Sequence, residues 1–358
     1  MKREYKILNL GASYGSLLGA KLVLAGHRVT MVCLPAEAEA FNRDGAVVRL
    51  PVKAPVGEVQ IETKHYPGKL AAAGPGDVDP AAFDLVALAM QEPQYRSPGV
   101  RELLDAVGRA KVPCMSIMNM PPMPYLRRIP GLDVDAPRPA FTDASVWDHV
   151  DPQCITLCSP DPQAFRPPDE PVNVLQVRLA TNFKAARFAS DRDTAMLRDL
   201  ERDIDATRFD TPQGPIELPV KLRVHDSVFV PLAKWSMLLA GNYRCVEQAG
   251  MRSIRDAVHS DLERTRKVYE LVGDVCISLG AAKEDLVPFE KYAAAAQSLI
   301  RPASAARALQ NGMPNIERAD KLVQLIAKQK GLHHPVIDAG VALVDKRLEA
   351  NRKKAAAA

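Results

Sequence analysis

The chain has 358 residues, a length that suits two domains. Lysine and arginine exceed aspartate and glutamate by 47 − 43 = 4, and these charges are spread along the chain without a dense basic block, so we expect no nucleic-acid partner. No apolar run approaches the roughly 18 residues that cross a membrane, and the charged residues 1–6 lead into a strand pattern rather than a signal peptide. We therefore expect a cytoplasmic protein with no membrane partner.

The chain has six cysteines, and most lie inside apolar runs, as Cys33, Cys114 and Cys276 do. This placement predicts reduced, buried thiols. Cys154 and Cys158 lie four residues apart, but no second cysteine pair or histidine pair accompanies them. We therefore expect no metal site.

Residues 5–32 predict a strand, a glycine turn, a helix and a second strand. The turn contains Gly11, Ser13, Tyr14 and Gly15. Such a unit is typical of dinucleotide binding, because the turn presents backbone N–H groups and a helix N-terminus to a pyrophosphate. The full fingerprint is G-x-G-x-x-G; here a serine takes the second glycine site, and the spacing is one residue tighter. The alternative is a plain turn whose glycines serve only packing.

Residues 1–120 continue as alternating strands and helices, which favours a parallel, doubly wound sheet. The strand at 83–89 is almost continuously apolar, as expected of a strand that is buried on both faces. The predicted strands are 5–10, 28–33, 46–50, 83–89 and 114–118, and helices are predicted at 16–25 and 101–110.

Prolines are frequent from about 121 to 220, and the predicted elements there are short. We interpret them as further strands of the sheet, followed by a helix; they are 154–157, 172–177, 187–189 and 194–206. From about 222 onward apolar residues recur at three- and four-residue steps, which indicates helices. We therefore predict an α/β protein with a Rossmann-type dinucleotide-binding domain at 1–220, an all-helical substrate and catalytic domain at 221–350, and a disordered tail at 351–358.

Lys234 is the candidate for chemistry in the helical part. It lies in the apolar helix predicted at 231–242, and Asn242 follows two turns later on roughly the same face. Either the lysine extends to solvent, or it faces a polar site. Reduction of a ketone needs a proton donor at oxygen, and a partly desolvated lysine suits that role because burial lowers its pKa. Spacing alone leaves both interpretations open.

Several stretches of the chain match one known family. They are 6–11 continuing to 25–29, then 84–86 with Gln91 and Gln94, then Asn119, then Lys234 with Asn242, and finally 302–304 with 312–317. Through them the chain resembles the ketopantoate reductases, or 2-dehydropantoate 2-reductases, from about residue 5 to about residue 335. These enzymes resemble 6-phosphogluconate dehydrogenases in placing a helical domain after a Rossmann domain.

The resemblance implies an NAD(P)H-dependent oxidoreductase that reduces a 2-oxo acid or related carbonyl compound. Lys234 would donate the proton, and Asn242 and Ser304 would hold the substrate carboxylate or hydroxyl. Glu317 would fill the family's second catalytic position, although Ile316 competes for the same place in the motif. We also expect a homodimer that acts on a small carbonyl substrate.

The cofactor contacts are assigned to the glycine turn and to two residues that follow later strands, with Asn119 near the nicotinamide. They are Gly11, Ser13, Tyr14, Gly15, Gln91 and Asn119. NAD-binding proteins usually hold the ribose with an acidic residue at the end of the second strand. Here that strand ends without one, Glu37 comes only later, and the family's arginine is also absent. The missing acid and the resemblance favour NADP(H) over NAD(H).

Three departures from the family pattern bear on the substrate. Leu238 replaces an asparagine four residues after the lysine, Gln91 replaces a lysine, and Met120 replaces a glycine. A site without that amide and cation suits a bulkier or less polar substrate than ketopantoate. Two alternatives stay open: an opine-type or other dehydrogenase on the same plan, and a dinucleotide-binding sensor without turnover.

Overall fold

The structure is a computed structural model that describes residues 3–357. These residues divide into two compact units. The first comprises the described residues up to Met90 together with Gln94–Tyr125 and Ser145–Asp226. The second comprises Gln91–Pro93, Leu126–Ala144 and the described residues from Ser227 onward. Two short segments of the first half of the chain thus group with the helical unit, and the domain bounds of 1–220 and 221–350 stay a prediction.

Among the described residues before 227, strands alternate with helices, of which the longest has 16 residues. The strands, in chain order, are β1 (Lys6–Leu10), β2 (Arg28–Val32), β3 (Val47–Pro51), β4 (Glu58–Glu62), β5 (Lys69–Ala73), β6 (Leu85–Leu88), β7 (Cys114–Ile117), β8 (Ile155–Ser159), β9 (Gln163–Phe165), β10 (Val174–Leu179), β11 (Phe183–Ala186), β12 (Phe209–Thr211), β13 (Gly214–Ile216) and β14 (Leu222–His225). The helices that precede residue 227 are α1 (Tyr14–Leu24), α2 (Pro35–Asp44), α3 (Val100–Ala110), α4 (Met123–Leu126) and α5 (Asp191–Ala206).

The larger sheet has the strand order β14-β11-β8-β7-β6-β1-β2-β5. Neighbouring strands are parallel except β8 and β11. The prediction of a doubly wound parallel sheet is therefore confirmed. From β1 the chain moves to β2 on one side and later returns to β6 on the other, so the strand order reverses between β1 and β6. In open α/β sheets, ligands bind outside the carboxyl ends of the strands at such a reversal.

Burial explains why these segments form the centre of the sheet. All four residues of β6 are buried, as are four of the five in β1. Helix α1 is buried from Gly15 to Leu24, and it packs against β1, β2 and α5. A helix that is apolar on every face must be packed against other elements on several sides to be shielded from water.

A second sheet in the same unit has the order β4-β3-β10-β9. The predicted strands at 46–50 and 172–177 belong to this sheet and not to the large one, so that part of the prediction was wrong. The predicted strand at 187–189 was also wrong, because the strand is β11 and residues 187–189 follow it. Apolar alternation indicates a strand, but it does not identify the partner strand.

The second unit is helical, as predicted. Its helices are α6 (Lys234–Met237), α7 (Ile254–His259), α8 (Leu262–Ser278), α9 (Phe289–Ala296), α10 (Ser304–Gln310), α11 (Ala319–Gln329) and α12 (Pro335–Ala357). The tail expected to be disordered is helical through Ala357, since α12 continues into it, while Ala358 lies outside the described residues. Within the described part of the chain, no helix combines the length and the apolar character needed to cross a membrane.

Candidate active site

The turn after β1 depends on Gly11. Its φ of +105° lies in the left-handed region, and its N–H donates to the Val32 carbonyl at 3.0 Å. A Cβ at this position would lie 2.6 Å from Met90 Cγ and 2.8 Å from the Ala89 carbonyl oxygen. Only glycine fits, so the chain can turn directly from β1 into α1 at the carboxyl edge of the sheet.

Gly15, which the sequence predicts to contact the cofactor, lies where α1 packs against the sheet. A Cβ there would lie 3.1 Å from Met31 Cε and 3.6 Å from the Cβ atoms of Ala89 and Asn9. The buried Asn9 amide also donates to the Gly15 carbonyl at 2.9 Å. Gly15 therefore lets α1 pack closely on the sheet, which is the role of the last glycine in a dinucleotide fingerprint.

Ser13 is the exposed residue at the start of α1. It is the N-cap of that helix, but its side chain makes no capping hydrogen bond, and the first turn contains no acidic residue. Tyr14 follows it and is half-buried. The N-terminus of a helix carries partial positive charge, so this end of α1 can receive an anion.

Arg166 also reaches this turn, although the sequence did not predict it. The residue directly follows β9, in the second sheet of the unit. Its guanidinium donates to the Ala12 carbonyl at 3.0 Å and forms an ion pair with Glu37. The other oxygen of Glu37 accepts the Leu34 N–H at 3.0 Å. No local pattern could have revealed Arg166, because 154 residues separate it from Ala12.

The ion pair between Arg166 and Glu37 lies near the end of β2. Leu34, which is 70% exposed, is the N-cap residue directly before α2. Burial raises the pKa of the Cys33 thiol to about 11; Glu37 adds to this rise and Arg166 opposes it. The end of β2 therefore combines an apolar surface, a carboxylate and a guanidinium.

The two remaining predicted cofactor residues lie in different units. Asn119 is half-buried and follows β7, which is next to β6 in the large sheet. Gln91 groups with the second unit. Of the predicted cofactor residues, the first unit thus brings together the glycine turn and, two strands away, Asn119.

Lys234 lies in a helix whose winding changes three times. A 3₁₀ turn at Val230–Ala233 is followed by α6, by a π-helical turn at Leu238–Asn242 and by a second 3₁₀ turn at Tyr243–Cys245. Lys234 and Asn242 are both half-buried. Leu238, which replaces the family's amide, is only 3% exposed.

Tyr243 joins this helix to the loop that carries Glu317. Its buried hydroxyl donates to the Glu317 carbonyl and accepts the Ala319 N–H at 3.0 Å. Beyond the loop, Arg318 donates two hydrogen bonds to Asp320, at 2.8 and 3.0 Å, and both side chains are buried. Glu317 is therefore held on a fixed backbone, and Ile316 beside it is buried in the core.

Ser304 is the exposed first residue of α10. That helix contacts the π-helical turn and the 3₁₀ turn after it, and α11 contacts both α6 and the π-helical turn. The elements that carry Lys234, Asn242, Ser304 and Glu317 thus adjoin one another within the second unit. Among residues 3–357, no group of three or more histidine, cysteine or acidic side chains is placed to hold a metal ion.

The whole-chain fold is that of the ketopantoate reductases. Similarity to solved structures extends over almost the full length. A protein from Ralstonia solanacearum MolK2, provisionally described as a ketopantoate reductase, is 16% identical with a TM-score of 0.66, and the match covers 98% of this chain and 99% of that one. No protein-family model matches the chain, and a search among curated proteins found no match.

Two further neighbours have the same fold. D-mandelate dehydrogenase, in a ternary structure with NADH and anilino(oxo)acetate, is 13% identical with a TM-score of 0.62, over 97% of this chain and 99% of that one. A dimeric ketopantoate reductase from Staphylococcus aureus is 12% identical with a TM-score of 0.58, over 97% and 99%. At these identities the similarity establishes the fold, and function has to be argued from the site.

Proposed function

We propose that this chain is an NADP(H)-dependent reductase that converts a 2-oxo acid or a related carbonyl compound into the hydroxy compound. The observation that carries the proposal is the position of the Gly11 turn. It lies at the carboxyl edge of the sheet where the strand order reverses, and it opens into a helix N-terminus without an acid or a side-chain cap. That combination is the one in which α/β proteins bind dinucleotides.

The residues of the first unit fit such a cofactor. The backbone of the turn and the hydroxyl of Ser13 would hold the pyrophosphate, with Tyr14 beside them and Asn119 near the nicotinamide. A bound reduced nicotinamide would supply hydride. Arg166 supports a preference for NADP(H), because its guanidinium lies near the end of β2; on binding it would exchange its ion pair with Glu37 for the 2′-phosphate.

The residues of the second unit would act on the substrate. We propose that Lys234 donates a proton to the carbonyl oxygen and that its ammonium stabilises the alkoxide as that charge develops. Asn242 and Ser304 would hold the carboxylate or a hydroxyl of the substrate, and Glu317 would fill the second catalytic position. The adjoining positions of their four elements support this grouping.

The substrate is proposed to be bulkier or less polar than ketopantoate. Leu238 is buried where the family has an amide, so this chain lacks one hydrogen-bonding group for a small hydroxylated acid. The aromatic 2-oxo acid analogue bound to the neighbouring D-mandelate dehydrogenase is consistent with a less polar substrate on the same fold.

We also propose a homodimer in the cytoplasm. The dimeric Staphylococcus aureus neighbour supports the first part. The six cysteines are all free, which suits a reducing compartment and supports the second. Light scattering of the purified chain tests the oligomeric state.

The experiment that tests the cofactor site is Ser13→Asp, followed by calorimetric titration with NADPH and by thermal unfolding. An acidic N-cap stabilises a helix by about 0.5–1 kcal/mol, so the fold should be unharmed or slightly more stable. The same charge would repel a pyrophosphate, so NADPH affinity should fall by at least about tenfold. The two effects have opposite signs, which separates loss of binding from loss of structure.

The matched control is Ser190→Asp. Ser190 is the N-cap of α5 in the same unit, and its side chain accepts the Asp193 N–H at 3.3 Å. This variant should bind NADPH as the parent chain does. Unchanged NADPH affinity in Ser13→Asp, or equal losses in both variants, would contradict a pyrophosphate site at this turn.

A further inference from the structure

The helix that carries Lys234 and Asn242 contains a wide turn that its own backbone does not explain. The Tyr243 N–H donates to the carbonyl of Leu238, five residues earlier, instead of four. Single π-helical turns of this kind are rare and occur often at functional sites.

Tyr292 fills the space that the wide turn leaves. It belongs to α9, is 5% exposed, and donates a hydrogen bond from its hydroxyl to the Met237 carbonyl at 3.2 Å. A Cβ on Gly241 would lie only 1.9 Å from that hydroxyl oxygen. The glycine and the tyrosine are therefore complementary: the hydroxyl occupies the place where any other residue at 241 would have its side chain.

Two further side chains bind carbonyls of the same turn. The Arg244 guanidinium donates to the Ala240 carbonyl at 3.1 Å and to the Thr265 hydroxyl. The Cys245 thiol contacts the Gly241 carbonyl at 3.5 Å. The wider winding shifts the backbone N–H groups that would normally bind these carbonyls. Side-chain donors bind the carbonyls instead, because buried backbone groups need hydrogen-bond partners.

The wide turn changes which residues share a face. In an uninterrupted α-helix, residues eight apart are separated by 800°, which is about 80° past two full turns. Here four steps of about 100° from Lys234 to Leu238 are followed by four steps of about 80° in the wider turn, and the total is close to 720°. The wider turn therefore brings the directions of Lys234 and Asn242 closer together than the offset of about 80° that regular α-helical spacing gives.

We infer that Tyr292 is a positioning residue that, with Gly241, maintains the wide turn and so aligns Asn242 with Lys234 toward one substrate. The inference rests on the proposed function, which assigns the proton to Lys234 and the substrate carboxylate to Asn242. In this role Tyr292 would not itself touch substrate or cofactor. It acts through the helix that carries both groups.

The test is Tyr292→Phe in the full-length chain, compared with Tyr269→Phe. The two rings are stacked 5.3 Å apart, and the Tyr269 hydroxyl donates to the Val287 carbonyl at 2.8 Å, away from the wide turn. Each variant loses one buried hydroxyl from the same aromatic cluster, so a general loss of stability should be similar in both. Only Tyr292→Phe removes a contact with the turn.

Three measurements are made on each variant. Hydrogen–deuterium exchange of amides 238–243 reports the turn itself, and calorimetry of the nucleotide-loaded protein with anilino(oxo)acetate reports substrate-site affinity. Steady-state kinetics with NADPH and 2-oxo acids separate kcat from KM. For Tyr292→Phe we expect faster exchange at 238–243, a rise in KM and a fall in kcat/KM of about tenfold, with Tyr269→Phe changed by less than about twofold.

A second pair of variants tests the complementarity directly. Gly241→Ala should be severely impaired, because its Cβ collides with the Tyr292 hydroxyl. In Gly241→Ala/Tyr292→Phe the nearest remaining atoms are Val258 Cγ2 at 3.2 Å and the ring carbon of residue 292 at 3.3 Å, so much of the activity should return. Such non-additivity is the signature of two residues that share one space.

The outcomes are distinguishable. Unchanged exchange at 238–243 in Tyr292→Phe, or altered exchange with unchanged KM and kcat, overturns the positioning role while the proposed function stands. A parent chain that neither binds anilino(oxo)acetate nor oxidises NADPH with any 2-oxo acid overturns the proposed function, and the positioning role with it.

Discussion

Replacing Lys21 by methionine is expected to stabilise the first unit in a pH-dependent way. Lys21 lies in α1, is 3% exposed, and donates from Nζ to the Pro219 carbonyl at 3.1 Å. Burial lowers its pKa from 10.5 to about 7, and the nearby Lys221 lowers it further. The folded chain therefore resists a charge that the unfolded chain accepts, so this lysine opposes folding at neutral pH.

The magnitude follows from the two pKa values. The difference between 10.5 and about 7 corresponds to about 5 kcal/mol at 1.36 kcal/mol per pH unit. Methionine has similar length but cannot donate to Pro219, which costs about 1 kcal/mol. The free energy of unfolding of Lys21→Met should thus exceed that of the parent chain by up to about 4 kcal/mol below pH 7.

At high pH the stability effect of Lys21→Met changes sign. Between about pH 7 and 10.5 the unfolded chain holds a proton that the folded chain has lost, so parent stability rises with pH through this window. The advantage of Lys21→Met should shrink across the same window and become a small loss above it. Urea unfolding of both proteins at pH 6, 8 and 10 measures this. If the stability difference between the two proteins stays constant across these pH values, the lowered pKa of buried Lys21 is refuted.

Three other variants test separate parts of the account. Gly15→Val should lose about 1–3 kcal/mol in urea unfolding, because its methyl groups overpack the sheet; unchanged stability would mean that α1 has room to shift. Arg166→Gln should weaken NADPH binding by about 10- to 100-fold in calorimetry and NADH binding far less, since a charged hydrogen bond to phosphate is lost; equal losses would make Arg166 a support of the turn only. Leu238→Asn should raise kcat/KM for ketopantoate, and no gain would show that this position does not set the substrate preference.

The large sheet was predictable because its signals are local. Apolar runs such as β6, and the turn at Gly11, need only neighbouring residues to be recognised. The predicted strand positions at β1, β2, β6 and β7 agree with the structure within one or two residues at each end. The helical second unit follows from the same kind of periodicity.

The parts that were not predictable depend on contacts distant in sequence. Arg166 reaches the glycine turn only because β9 lies in a separate sheet, and nothing near Gly11 signals that approach. The wide turn at Leu238–Asn242 depends on Tyr292, a residue 55 positions after the carbonyl that it binds. Apolar periodicity over 231–242 predicts a helix, but it does not reveal a change in winding that another helix imposes.

The most direct test of the central claim is turnover by Lys234→Ala. Parent and variant are compared for NADPH oxidation with a panel of aliphatic and aromatic 2-oxo acids, and NADPH affinity is measured for both by calorimetry. If Lys234 donates the proton, kcat should fall by roughly 10²–10⁴ while NADPH affinity changes little. Near-parental turnover in Lys234→Ala would contradict its role as the acid, and a parent chain that binds NADPH but reduces none of these acids would favour a nucleotide sensor over a reductase.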